Sequence, residues 1–157
     1  MSRYTSAKHR PSFTYDNALL MKDAGLIAAD AAWTVSAAAK ILDVGVGRYC
    51  GIVIADVSAL EIATGDERYS LIIQGSTSAT FASTIVILAC LPIGDGSTIG
   101  TAFGSSGVDV DDAVGRYEIP FCNERNNIYY RYVRGWTDVA GTIATGINFT
   151  AWMAKPY

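Results

Sequence analysis

Residues able to carry proton, metal or nucleophile chemistry are scarce in this chain. His9 is its single histidine, set in the opening segment "MSRYTSAKHRPSFTY". With one imidazole so placed, Ser–His–Asp and Cys–His arrangements have no well-placed base. Metal sites of the kind that jelly-roll barrels carry need several histidines and are excluded by count. Cys50, Cys90 and Cys122 stand far apart in apolar surroundings ("RYCGIVI", "VILACLPI", "EIPFCNE") with no CxxC pair. They read as buried free thiols of a chain folded in a reducing cytosol.

Carboxylates are the remaining reactive groups. Asp66, Glu67, Asp95, Asp109, Asp111, Asp112 and Glu124 fall in turn-like segments, where solvated loop residues are the plain expectation. A two-carboxylate glycosidase would need a pair of them facing a cleft, about 5–9.5 Å apart. "DVDD" (Asp109–Asp112) has an alternation that calcium uses, but it lacks the glycine and distal glutamate of a complete calcium loop. "GVGRYCG" departs from GxGxxG and precedes a strand rather than a helix, so it reads as a turn. No catalytic residue, metal ligand or cofactor is assigned, and the chain is expected not to be an enzyme.

Binding chemistry is denser. "IYYRYVRGW" (Ile128–Trp136) packs four aromatics and two arginines into nine residues. In a single strand Ile128, Tyr130, Tyr132 and Arg134 share one face, and Tyr129, Arg131, Val133 and Gly135 the other. Nucleic-acid platforms combine such residues. A net charge of −3, a sequence pI near 5.0 and the lack of a second basic strand argue against one. Tyrosines packed inward under arginine stems are the simpler expectation. A sugar platform fits less well, because the tyrosines alternate between faces.

The elements that must position these residues are strands. At 157 residues the chain fits one domain. Charged residues make up 17%, below the roughly 25% of an average domain. Together with 50% hydrophobic residues, this predicts a large core and an exterior partly covered by partners. The opening twenty residues lack the apolar run of a secretory signal. Ala24–Ala39 is interrupted by Asp30, Thr34 and Ser36 and is too short to cross a bilayer, so no membrane partner is expected.

Seven segments rich in Ile, Val, Tyr and Thr read as strands: Ala39–Gly45, Tyr49–Val57, Arg68–Ser76, Ser83–Leu91, Gly115–Cys122, Ile128–Trp136 and Gly141–Met153. "TIVILACL" is apolar on both faces and is expected to be covered on both. In the last segment Ile143, Thr145, Ile147, Phe149, Ala151 and Met153 alternate with a face of mostly small or polar residues that also carries Trp152. Asp23–Ile41 is alanine-rich enough for a helix, but Gly25, Trp33, Thr34 and Val35 favour extended chain, and both remain open. The predicted fold is all-β: a single-domain, jelly-roll-like antiparallel β-sandwich over residues 16–157, with an extended N-terminal arm over residues 1–15.

The order of these segments resembles that of the small jelly-roll cement, or decoration, proteins of tailed-bacteriophage capsids. "YDNALLMKDAGLIA…ILDVGVGR" (Tyr15–Arg48) looks like their acidic opening and first strand, and "LIIQGSTSATFAS" (Leu71–Ser83) like their strand ending in a small polar turn. "GRYEIPFC" resembles their strand closing on proline, and "YYRYVRGWTDVAGTIATGINFTAWM" their final strand pair. The likeness covers roughly residues 15 to 153 and is one of strand order, with no catalytic motif in it. The arm and the insertion around "GDGSTIGTAFGSSGVDVDD" are longer than that pattern.

The resemblance implies a virion protein made in the host cytoplasm. It would bind the outer surface of an expanded head as a homodimer or homotrimer and clamp neighbouring major capsid subunits against the pressure of packaged DNA. No nucleic-acid partner follows from it. The basic arm (Arg3, Tyr4, Lys8, His9, Arg10, Tyr15) on an otherwise acidic chain is the expected capsid contact. Trp152, Trp136 and Trp33 are candidate interface anchors, since tryptophan is enriched at hot spots. The alternative is a carbohydrate- or receptor-binding β-sandwich module of a virion tail or fibre.

Overall fold

Alternating burial along the extended segments sets the architecture. In the computed structural model, which describes residues 16–82, 84–95 and 111–154, fourteen strands form and no α-helix occurs among the described residues. They are β1 (Leu20–Lys22), β2 (Leu26–Ile27), β3 (Ala31–Ala32), β4 (Thr34–Val35), β5 (Ala38–Ala39), β6 (Ile41–Asp43), β7 (Cys50–Leu60), β8 (Arg68–Ser76), β9 (Ile85–Gly94), β10 (Gly115–Cys122), β11 (Glu124–Arg125), β12 (Ile128–Tyr129), β13 (Tyr132–Ala140) and β14 (Ile147–Ala154).

Two antiparallel sheets face each other. One has the order β1–β14–β7–β10, with β2 also on β14; the other has the order β3–β13–β8–β9, with β6 also on β13. Counting β1–β2 as a first strand and β3–β6 as a second, the orders become 1-8-3-6 and 2-7-4-5. That is the jelly-roll. Its core lies between the sheets, where Val53, Ala55 and Val57 of β7, Tyr69, Leu71 and Ile73 of β8, and Ile147, Phe149 and Ala151 of β14 are buried.

Several expectations change. Asp23–Ile41, open between helix and strand on sequence, holds the short strands β2–β5 joined by bends and a turn, with its polar side chains bonded to backbone groups. Asp23 Oδ2 accepts the Ser36 N–H at 2.7 Å, and Asp30 Oδ1 accepts the Val139 N–H at 2.8 Å. Ser36 and Ala37, both at positive φ (53° and 62°), form the tight turn joining β4 and β5. The segment also delivers Trp33 to the core. The indole lies 5.2 Å edge-on from Phe149 and its Nε1 donates to Thr137 Oγ1 at 2.8 Å. Gly135 lies directly under the ring, and a Cβ there would fall inside it.

Ile128–Trp136 is not one strand. The Asn126–Asn127 turn, both residues at positive φ, folds β11 and β12 into a small hairpin, and the chain leaves the ladder at Tyr130–Arg131 before β13 begins. This shifts the faces: Tyr130 is buried, and Val133, Gly135 and Thr137 point inward. Gly141–Gly146 is a loop, so the last strand starts only at Ile147.

The expectation of cover on both sides of "TIVILACL" is also overturned. β9 ends its sheet, with Ile85 46% and Ile87 50% exposed.

Candidate functional site: the apolar end of the sandwich

Strand directions gather the connections at two ends. Residues 44–49, 77–82 and 123–131 meet at one end, where the described chain also enters β1 from Asp16. Residues 61–67 and 141–146 meet at the other. Among the described residues, five of the seven exposed large apolar side chains lie at the first end: Val46, Ile85, Ile87, Ile128 and Tyr129. Such clustering marks a contact surface rather than scatter.

The mount beneath them is rigid for identifiable reasons. Asn123 is fully buried and links three segments. Its backbone N–H donates to the Tyr49 carbonyl and its Oδ1 accepts the Tyr49 N–H, while Nδ2 donates to the carbonyls of Gly47 (2.9 Å) and Tyr130 (3.2 Å). Arg131 makes a two-pronged ion pair with Asp43, with a shortest distance of 2.7 Å, which holds the Asp43 carboxyl below its ordinary range. Arg48 and Glu124 approach to 3.7 Å, and Arg125 Nη1 reaches the Ile87 carbonyl at 3.3 Å, tying the hairpin to β9.

A covalent tie completes the mount. Cys50 and Cys122 face each other across the β7–β10 ladder, Cα–Cα 4.1 Å, and are disulfide-bonded. This corrects the expectation of buried free thiols. Cys90, the remaining thiol, is exposed on β9. Sequence reasoning missed the pair because the two cysteines are 72 residues apart and only the strand register makes them neighbours.

Trp33 lies in the core, 1% exposed, and has no surface to offer a partner. Trp136 is half-buried on the outer face of its sheet beside Arg134, whose guanidinium lies 5.2 Å from that ring and 4.4 Å from Phe81 and donates to Gln74 Oε1. Trp152 lies on the outer face of the other sheet, 8% exposed, packed with Ile54, Ala154, Leu20 and Ile52 under Arg116. Arg3, Tyr4, Lys8, His9, Arg10 and Tyr15 lie outside the described residues, as do Asp109 and the proposed arm as a whole.

At the far end, carboxylates serve the backbone. Glu61 accepts the N–H groups of Ala144, Thr145 and Gly146, the last two at 2.6 Å. Asp66 accepts the Thr142 N–H and hydroxyl. Glu67 is fully buried, contrary to its expected solvation. Burial would raise its carboxyl, but the Thr64 N–H and hydroxyl and the Gly65 N–H hold it down at about 2. Among the described residues no group of His, Cys, Asp and Glu forms a metal site.

A cavity of about 290 Å³ near this end is lined by Lys22, Asp23, Leu26, Asp30 and their neighbours. The buried Lys22 ammonium donates to the carbonyls of Asp23, Gly25 and Phe149 at 2.9, 2.8 and 3.1 Å, so its three protons are spent on the backbone. Burial lowers its pKa, partly offset by Asp23.

No protein-family model matches the chain, and no curated protein matches it.

Proposed function

We propose that this protein is a structural cement protein of a tailed-phage head, binding the outer surface of the expanded shell as a homo-oligomer and clamping neighbouring major capsid subunits. One observation carries the reading: exposed Val46, Ile128 and Tyr129 project from loops fixed by Asn123 and the Cys50–Cys122 disulfide, at the end where the chain enters β1. A rigid mount loses little entropy on docking, which favours association through apolar tips of modest area. The basic arm, with Arg3, Tyr4, Lys8, His9, Arg10 and Tyr15, precedes β1 in the sequence and supplies charge contacts to the same capsid surface. Trp136 and Trp152 act behind these contacts as packing residues of the outer faces.

An oligomer touching several capsid subunits gains avidity from individually weak contacts. Preference for the expanded lattice stabilises that lattice by mass action. A disulfide suits a chain that ends on the outside of a released particle, away from cytosolic reductants.

Co-sedimentation of the purified chain with expanded, undecorated heads tests the reading, with unexpanded proheads as control. Saturable binding to expanded heads alone is the expected result. Absence of binding to either particle overturns it, and saturable binding to a glycan panel would move the protein to receptor recognition at a tail or fibre.

A further inference from the structure

We propose that β9 is the seam of a homodimer, in which the β9 edges of two copies pair antiparallel across a two-fold axis. Among the described residues β9 has one ladder, to β8, so every second residue turns its N–H and carbonyl away from the sheet. Natural edges are guarded by lysines, other charges or proline. β9 has no charged residue between Ile85 and Gly94, and its proline, Pro92, lies in the last third of the strand. The unguarded part, Ile85–Leu91, is also where Ile85, Ile87 and Cys90 are exposed.

Charge favours a second copy as the occupant. Two chains of net charge −3 repel each other, and they meet at least cost along an uncharged strip. The neighbouring edge strand, β10, is charged: it carries Arg116, paired with Asp56, and Glu118. Symmetry supplies the matching partner, because an antiparallel edge placed against itself opposes donors with acceptors. Leu88 is the extra residue where Ile73 pairs with Ala89 and Gln74 with Ile87. The extra residue breaks the alternation there, so an axis at Val86 sets Ile85 of one copy against Ile87 of the other on the regular part of the strand and leaves Pro92 outside the ladder.

A specific interface needs about 1,000 Å² or more. The outward side chains of Ile85 and Ile87 and the adjoining hairpin, already tied to β9 through Arg125, widen the strip beyond its backbone. The long Arg125 bond to the Ile87 carbonyl is one that backbone pairing replaces.

Antiparallel pairing points the two loop ends in opposite directions. Where the cement reading holds, each end reaches a different capsid subunit beside the axis, so this consequence, unlike the dimer itself, rests on that reading.

Sedimentation equilibrium of the full chain over a roughly hundredfold range of concentration tests the seam. A monomer–dimer equilibrium is expected, weakened at least about tenfold by Ile85→Lys/Ile87→Lys and unchanged by Leu26→Lys, a more exposed apolar site on β2. Amide exchange of residues 85–87 in the unaltered chain gives a measurement free of folding artefacts and should slow as concentration rises. A monomer at all concentrations, a trimer, a lysine variant that dimerises as before, or concentration-independent exchange would each overturn the seam. A monomer that binds expanded heads would leave the cement reading standing without it, and a dimer that binds no heads would do the reverse.

Discussion

Asn123 and Tyr49 exchange two hydrogen bonds: the Asn123 N–H donates to the Tyr49 carbonyl at 2.9 Å, and the Tyr49 N–H donates to Asn123 Oδ1 at 2.7 Å. The pair joins the loop before β7 to the turn after β10, directly beside the disulfide. It converts two surface connections into one support for the apolar tips.

Asn123→Ala takes the side-chain partner from the buried Tyr130 carbonyl and from the part-buried Tyr49 N–H and Gly47 carbonyl. A loss of about 2–4 kcal/mol is expected from urea unfolding, since each buried unmatched group costs about 1–3 kcal/mol. A loss below about 0.5 kcal/mol would show that water replaces the side chain, and the rigid mount would fail with it.

The Cys50–Cys122 bond closes a loop of 72 residues. Constraining the unfolded chain to that extent is worth roughly 4 kcal/mol. The Cys50→Ala/Cys122→Ala chain should therefore unfold at a much lower guanidinium midpoint, and the unaltered chain should fall to the same midpoint in reductant. Equal midpoints with and without reductant would contradict the bond's role.

Acid should loosen the end that holds residues 61–67 and 141–146. The folded Glu67 carboxyl sits at about 2, below its ordinary 4.5. Hydrogen bonds from Gly146 and Thr145 lower Glu61, and those from Thr142 and Thr64 lower Asp66. A depressed folded pKa means that the unfolded chain takes up protons first. The stability these groups add is complete above pH about 4.5 and is lost as pH falls towards 2. Urea midpoints measured across that window should drop steadily. In Glu67→Gln the neutral-pH midpoint should be lower and the acid slope shallower; an unchanged slope would remove Glu67 from the account.

Ile128 and Tyr129 are exposed at the hairpin, so Ile128→Ser/Tyr129→Ser should alter stability by no more than about 0.5 kcal/mol. Affinity for expanded heads should nonetheless fall about tenfold or more, as for central apolar anchors of an interface. Unchanged head binding by the folded variant would move the capsid contact away from this end.

Much of the sandwich was legible because its signals are local. Arg68–Ser76 and Gly115–Cys122 form strands with the bounds that composition and flanking turns predict. Ile147, Phe149, Ala151 and Met153 face the core as period-two alternation requires. Reading Ile128–Trp136 as one strand failed because apolar content does not reveal a break. The chain leaves the ladder at Tyr130–Arg131, which no turn residue marks, while the Asn126–Asn127 turn that pairs β11 with β12 lies ahead of the segment. "TIVILACL" misled in the opposite sense, since an apolar run fits both a covered central strand and an edge.

By itself the sequence determined the all-β class, the single domain, most strand positions and the scarcity of imidazole and thiol chemistry, because these depend on residue type and on spacing within a few positions. Tertiary structure alone decided that Cys50 meets Cys122, that Asn123 ties three loops, that Glu67 is buried among backbone N–H groups and that β9 is an edge. Each of these is set by strand register and sheet order between segments far apart in the chain, and nothing in the local composition encodes which distant backbone a side chain will face.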